Sequence, residues 1–348
     1  MKKLFVIVLL EIVLSAGSAA FALKPVPDLG NARIIVLAHN LQNYYINYSE
    51  SSRPSYNTEE GLILKTQRIV DMMLASNADI FAFCEVEAKP VSLQYIVDSL
   101  NSRVDSVAYA AVVDGINVQT DSYDNAIKAG FIYRIATVEP YGNNYSTTSI
   151  TYYKNNMRIQ AWTEKATGER FTLSMNHFKA KFDEASIAKR VENANWLVSG
   201  LNSYRVKDPD ILIVGDLNSE MGEECLTIIQ NNGYEEQLLR YDEDAYSYVY
   251  RGDYELIDHA FANSTMADQI TGAAVWHTNT PLYSSQRYSD HDAVLVGLRL
   301  GEDEPIGPGE AVETVTVSEP QVQKILRQGQ LIIIRGGAEY TVTGQRLY

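Results

Sequence analysis

Asp210-Ile211-Leu212-Ile213-Val214-Gly215-Asp216-Leu217-Asn218 is the stretch that decides how this chain folds. Ile211 to Val214 is a short, uninterrupted, mostly β-branched apolar run, the pattern of a strand buried on both faces. It ends at a glycine, and just beyond stand a carboxylate and an amide. Alone, this is a strand-to-helix turn whose Asp or Asn caps a helix. It gains weight because the arrangement recurs. Asn40 follows the apolar run 33–38, Glu85 follows Ile80-Phe81-Ala82-Phe83-Cys84, and Asn176-His177 follows Phe171-Thr172-Leu173-Ser174-Met175. Asp258 closes Leu256-Ile257, and Asp290-His291 precedes Val294-Leu295-Val296. Strand ends on one edge of a sheet converge on a crevice, where the sites of α/β proteins lie. Acids, amides and imidazoles gathered there form an oxygen-rich site suited to a cation.

Between these runs the apolar spacing becomes helical. Leu62, Ile69, Met72 and Met73 line one face of a helix over 58–76, and Ile187, Val191, Ala194 and Val198 one over 184–203. Residues 91–103 also read as a helix, and 108–113, 129–133 and 150–153 as strands. Several strand–strand connections read as antiparallel. The pattern predicts an α/β (α+β) fold built on mixed sheets rather than an alternating parallel one.

The two ends differ from this middle. Lys2-Lys3, an apolar run from Leu4 to Leu14 and Ala20-Phe21-Ala22 read as a signal peptide over residues 1–22. That run is about half the ~20 residues a membrane span needs, so no stable span is expected and the protein is expected to be secreted, periplasmic or on the cell surface. A catalytic domain then covers 23–300. Residues 301–320 hold acids and prolines without a basic residue and read as a solvated linker. Residues 321–348 contain two strand-like runs around Gly336-Gly337, a C-terminal β-hairpin. The segment 324–346 resembles the C-terminal sorting tails of some secreted bacterial proteins, which implies export machinery as a partner. Cys84 lies in an apolar strand and is read as a free buried thiol rather than half of a bridge to Cys225. The net charge of −15 excludes binding nucleic acid through a broad basic surface, but not an enzyme that meets phosphate through a bound cation.

The ordered series Asn40, Phe83-Cys84-Glu85-Val86, Phe131-Ile132-Tyr133-Arg134, Asn176-His177-Phe178, Gly215-Asp216-Leu217-Asn218, Ile257-Asp258-His259 and Ser289-Asp290-His291 resembles the motifs of the endonuclease/exonuclease/phosphatase (DNase I-like) family over residues 32–300. Longer runs, 176–181, 208–218, 246–250 and 270–277, are similar to bacterial extracellular nucleases of that family. The resemblance implies a four-layer sandwich, two mixed β-sheets face to face with helices outside. It also implies a metal-dependent phosphodiesterase, probed first as a low-specificity endonuclease on DNA, with RNA as an alternative, working as a monomer.

The chemistry assigns roles. Cleaving a phosphodiester needs charge neutralised on the phosphoryl oxygens, an activated water and a stabilised leaving oxygen. Mg2+ takes one or two carboxylates and fills its shell with water and phosphate, and Mn2+ or Ca2+ could replace it. Glu85 is the leading ligand, with Asn40 and Asp290 joining it by resemblance. Asp216 is the base for the attacking water and Asn218 orients it. His177 and His291 flank the phosphate, and Asp258 holds His291. Tyr133 and Arg134 add a hydroxyl and a guanidinium, and Lys179 and Lys181 meet flanking phosphates. One departure stands out: DNase I orients its first histidine with a Glu before the Tyr-Arg strand, where this chain has Asn125-Ala126-Ile127-Lys128, leaving Asp124 as a substitute. His39 and His259 read as packing residues, and His277 either touches substrate or packs on Trp276. Tyr145, Tyr152 and Tyr153 read as strand tyrosines that could offer stacking faces. The competing readings are a phosphodiesterase or phosphatase for a lipid or small phosphoester, and a non-catalytic binding protein on the same scaffold. An exposed apolar hairpin would favour the lipid, and a dense basic cluster an inositol phosphate; neither is evident.

Overall fold

In a computed structural model, residues 23–50, 56–113, 127–146, 156–181, 183–283, 285–301, 323–327, 330–335 and 338–341 are described. The signal peptide, most of the linker, Asp124 to Ala126, the strand expected at 150–153 and the Gly336-Gly337 turn lie outside them. The chain divides into two compact units, Met1–Gly301 and Glu302–Tyr348.

The first unit carries two six-stranded sheets. Strands β1 (Ile34–Tyr44), β2 (Ile80–Glu87), β3 (Tyr109–Ala111) and β4 (Ile127–Arg134) belong to one sheet. Strands β5 (Val138–Tyr145), β6 (Met157–Glu164), β7 (Arg170–His177), β8 (Ile211–Asp216) and β9 (Tyr234–Glu236) belong to the other. A separate hairpin is formed by β10 (Tyr248–Tyr250) and β11 (Asp253–Glu255). Strand β12 (Asp258–Asn263) rejoins the second sheet, and β13 (Ile270–Trp276) and β14 (Ala293–Leu298) the first. The spatial orders are β13-β14-β1-β2-β4-β3 and β5-β6-β7-β8-β12-β9. Each sheet has one parallel pair at its centre, β1 with β2 and β7 with β8, and antiparallel strands around it. The mixed-sheet sandwich expected from sequence is therefore present.

Alternation along the strands builds the layers. Val36, Ala38, Ile80, Ala82, Phe131, Trp162, Leu173, Met175, Leu212 and Val214 fill the space between the sheets. Their neighbours point outward. Leu37, Phe81 and Phe83 meet α1 (Glu59–Ser76) and α2 (Pro90–Asn101). Ile159, Ile213 and Phe261 meet α3 (Glu184–Ser203) and α4 (Glu224–Asn231). Two one-turn helices, α5 (Leu238–Tyr241) and α6 (Ser264–Ala267), complete the unit. The start of α1 follows from sequence: the Thr58 side chain accepts from the Gly61 amide, Glu59 and Glu60 favour the positive end of the helix dipole, and Asn77 ends the helix in the left-handed region. Among the described residues, no helix is long and apolar enough to cross a membrane. Both cysteines are free and buried.

In the second unit, β15 (Gln323–Arg327), β16 (Gln330–Arg335) and β17 (Ala338–Thr341) form a three-stranded antiparallel sheet. The expected hairpin is its latter half; β15 adds a strand that Lys324-Ile325-Leu326-Arg327 did not signal because a single Ile-Leu pair is too short a pattern.

Candidate active site

The parallel pairs fix the site. Parallel strands end on the same edge, and β1 and β2 finish beside each other with Asn40 opposite Cys84. In the facing sheet, His177 at the end of β7 stands opposite Asp216 at the end of β8. Antiparallel β12 begins on that edge, so Asp258 sits opposite Asp216. Antiparallel β14 begins there too, and Asp290 and His291 lie in the turn that enters it.

Local backbone irregularity turns these side chains inward. Gly215 has φ +131, and a Cβ there would run into the Asn176 carbonyl oxygen, so the strand can approach β7 only with glycine. Glu85 and Asn218 both occupy the left-handed region, at φ 54 and φ 49, Glu85 where β2 leaves its register with β4 and Asn218 just beyond the end of β8. Asn218 is held there by its amide, which donates to Asp216 Oδ1 at 2.9 Å, and by its Nδ2, which donates to the Phe178 carbonyl at 3.2 Å. Glu85 Oε2 accepts from the Asn43 amide at 2.7 Å. Such strain in non-glycine residues persists where the surroundings over-determine it, and it gathers at functional sites.

Asp216 is the centre. His177 Nε2 lies 3.6 Å and His291 Nε2 3.7 Å from its Oδ2, and the same oxygen accepts from Asn40 Nδ2 at 2.9 Å. Glu85 Oε1 is 3.6 Å from His177 Nε2 and 3.1 Å from Asn40 Nδ2. His291 Nδ1 donates to Asp258 Oδ2 at 2.7 Å, which fixes the ring and turns Nε2 towards Asp216. Asp290 Oδ1 is 4.0 Å from His291 Nε2. Burial pushes the Asp216 carboxyl above its usual range and Asp258 adds to this, against the pull of His291, His177 and the Asn40 hydrogen bond. For His291, burial favours the neutral ring, but Asp258, Asp216 and Asp290 outweigh it and raise its pKa well above the ordinary histidine value.

Among the described residues, two groups have the composition of a cation site: Glu85, His177 and Asp216, and Asp216, Asp258 and His291, each with ligand atoms within 4.8 Å of one another. The second is sealed, and His291 Nδ1 is committed to Asp258. The first includes Glu85, whose side chain keeps 18% of its surface exposed, so a hard, hydrated cation fits there on carboxylate oxygens. Asn40 turns its amide nitrogen, not its oxygen, to these carboxylates, because its Oδ1 accepts from the Gln42 amide at 2.8 Å. In this arrangement it aligns the two acids rather than coordinating a metal.

Three further sequence assignments, Tyr133, Arg134 and Lys181, come out differently. Tyr133 and Arg134 are at the wrong end of the molecule: β4 runs antiparallel to β2, so Tyr133 pairs with Ile80 at the start of β2, not with Glu85 near its end. Tyr133 packs its ring on Trp162, and Arg134 bonds Asn77 and faces Asp79. A polar residue after an apolar run marks the site edge only when the strand runs the right way. Lys181 is held by Glu220 and Glu255, each at 3.1 Å, with Glu223 at 3.6 Å, so its charge is already matched. Burial lowers its pKa, but those carboxylates more than compensate and raise it. Lys179 is placed by its backbone, which donates to Asn193 Oδ1 at 3.0 Å. The carboxylate considered as a partner for His177, Asp124, lies outside the described residues.

Other residues reach the site unannounced. Arg158, buried at the start of β6, stands opposite Met175 and so shares the inward face with His177. No signal in the sequence marks it, because Met157-Arg158-Ile159-Gln160 alternates apolar and polar residues like a strand with one solvated face. The Tyr248 ring lies 4.8 Å from that of His291, and Ser289 Oγ donates to the Asn40 carbonyl at 2.6 Å, tying the last motif to the first.

The sequence matches no protein-family model and no curated protein. Its fold does have solved counterparts. An endonuclease/exonuclease/phosphatase from Bacteroides vulgatus is 16% identical with a TM-score of 0.57, covering 77% of this chain and 99% of its own. A mannosyl-6-phosphatase from Bacteroides thetaiotaomicron is 18% identical with a TM-score of 0.53, over 77% and 100%. The D. rerio TDP2 bound to a single-strand DNA product is 13% identical with a TM-score of 0.51, over 77% and 99%. The chain therefore has the endonuclease/exonuclease/phosphatase, or DNase I-like, fold. At these identities the likeness is one of architecture.

Proposed function

We propose that the protein is an exported, divalent-metal-dependent phosphodiesterase whose substrate is nucleic acid, DNA in the first instance, cut with little sequence preference. The observation that carries the reading is Asp216, buried, with its pKa raised, and within 4 Å of both His177 and His291. An acid so placed can take a proton from water, while two imidazoles beside it can donate to the phosphoryl oxygens and the leaving oxygen. His291, kept protonated by Asp258, suits the developing negative charge, and Asn218 and Asn40 hold Asp216 in place. Mg2+ or Mn2+ on Glu85 would neutralise phosphate charge and acidify bound water. Export rests on the basic, apolar and small-residue pattern of residues 1–22.

The single-strand DNA product seen with TDP2 on this fold supports the nucleic-acid reading. A second reading, a small phosphoester as substrate, is favoured by the net charge of −15 and by Lys181, whose charge three carboxylates already match; the mannosyl-6-phosphatase shares that fold. Supercoiled plasmid, incubated with Mg2+ and with EDTA, separates the two. Nicking that needs metal and vanishes in His177→Ala and His291→Ala upholds the nuclease. Intact plasmid with turnover of a sugar phosphate or nitrophenyl phosphate selects the small substrate.

A further inference from the structure

Beside the His291–Asp258 pair stands another of the same construction. His277 Nδ1 lies 2.8 Å from Asp292 Oδ2. An ionised carboxylate only accepts hydrogen bonds, so Nδ1 carries a proton. Asp292 is fully buried and over-determined: Oδ1 also accepts from the Asn279 and Thr280 amides at 2.7 and 3.0 Å, and the Thr280 hydroxyl donates to Oδ2. The His277 ring stacks on Tyr246, centroids 4.1 Å apart and planes 17° from parallel, and Tyr246 is wedged in turn by Tyr254. Nε2 has no protein partner among the described residues, and the side chain keeps 24% of its surface exposed. Ser247 links the two pairs. Its carbonyl accepts from the Asp292 amide at 2.8 Å, and its hydroxyl from the Asp258 amide at 3.0 Å.

The spacing is informative. Tyr248 lies against His291 as Tyr246 lies against His277. Two residues of extended chain span at most about 7 Å, which is of the order of the step between adjacent phosphates of a polynucleotide. A histidine locked at one nitrogen, braced on a ring and open at the other is costly to build for packing alone, since a phenylalanine would fill that space without a buried carboxylate.

We propose that His277, positioned by Asp292, is a specificity-determining residue that, as the imidazolium with a proton on each ring nitrogen, donates from Nε2 to a phosphate adjoining the scissile one. This rests on the phosphodiesterase reading and adds the second anionic group of a polymeric substrate to it. The test compares a short oligodeoxynucleotide with bis(p-nitrophenyl) phosphate, which has a single phosphate, for the parent, His277→Gln and Asp292→Asn. The ratio of kcat/KM on the oligonucleotide to that on the nitrophenyl ester should fall about tenfold in His277→Gln, mostly through KM, as expected for loss of one hydrogen bond to a charged group. Equal losses on both substrates, or none, overturn the proposal. Should Asp292→Asn fold poorly, His277→Gln decides alone, since the glutamine amide can still donate to the buried Asp292. A binding readout covers an inactive parent. With metal chelated and histidines labelled with carbon-13, the oligonucleotide should shift the His277 signal, identified among five histidines by its loss in His277→Gln, and the nitrophenyl ester should not. A parent that binds neither defeats the inference; a parent that cleaves only the ester defeats the nucleic-acid reading, and the two failures are told apart in the parent alone.

Discussion

The two ends of the sandwich use buried charge in opposite ways. At the end away from the site, two buried acids, Glu164 and Asp79, each have an arginine beside them. Arg33 bonds Glu164 across the sheets at 2.9 Å, and Asp79 accepts from the Ile35 amide and the Thr137 hydroxyl with Arg134 3.5 Å away. At the site end, Glu85, Asp216, Asp258 and Asp290 lean on histidines and amides. An arginine cannot give up its proton and leaves no room for another cation. Histidine can do both. The first end is a closed electrostatic arrangement that holds the sheets together; the second is open, with more carboxylates than cations, a charge pattern that a bound cation would offset.

The largest effect that should follow is at the open end. His291→Ala removes the donor facing Asp216 and leaves Asp258 buried without its partner. Turnover should fall by about 10³-fold, in the range of general acid–base and oxyanion contributions, and retention of the parent's circular dichroism would assign the loss to chemistry. Activity within tenfold of the parent would remove His291 from the mechanism. The closed end should behave in reverse. Arg134→Ala strands Asp79, and a buried charge stripped of its partner costs about 3 kcal/mol. Urea unfolding should record that loss while kcat stays at the parent value. A fall in kcat without a loss of stability would return Arg134 to the site and contradict the strand polarity.

How much of this was legible follows from the same contrast. Glu85, Asn176-His177, Gly215-Asp216 and Asp258 could be read because each lies where an apolar strand changes to polar residues on a parallel strand or at the start of an antiparallel one. Tyr133-Arg134 gave the same local signal at the opposite end, because strand polarity is a pairing property that a single run of residues does not carry. Arg158 and Asp292 were hidden for another reason. Their roles depend on partners 17 and 15 positions away, Met175 and His277, brought close by register. The third strand of the tail sheet was missed through brevity, and Lys181 because its three glutamates come from 220, 223 and 255, which only the fold assembles.

An intermediate effect tests the boundary of the open region. His39 precedes Asn40 but points away from the site, with its ring edge-on to Tyr288 at 5.4 Å. Burial dominates and pushes its pKa down to about 4 from 6.5, Asp258 pulling the other way. The unfolded chain therefore takes up a proton near pH 6.5 that the folded one refuses until about pH 4. Stability should be lost as pH falls through that window, by about 3 kcal/mol for a separation of this size, and should level off below it. His39→Gln should flatten this part of the curve measured by denaturant unfolding. An unchanged acid slope would place the acid sensitivity among the carboxylates instead.

The smallest effect expected concerns a cation that sits between the two modes. Lys181 is a permanent charge at the site end, with 32% of its side chain exposed and already matched by Glu220, Glu223 and Glu255. If it met substrate phosphate, Lys181→Gln would weaken nucleic-acid binding and lower the dependence of log K on log salt by about one counterion. Held as it is, it should instead leave the salt slope unchanged and cost at most about 1 kcal/mol of stability, as exposed pairs do. The argument turns on competition: a phosphate could recruit Lys181 only by breaking contacts to two carboxylates at 3.1 Å and leaving three acids near its own negative charge. A measured drop of one unit in the salt slope would show that the glutamates release the lysine when substrate binds, and would extend the open region of the molecule as far as β11.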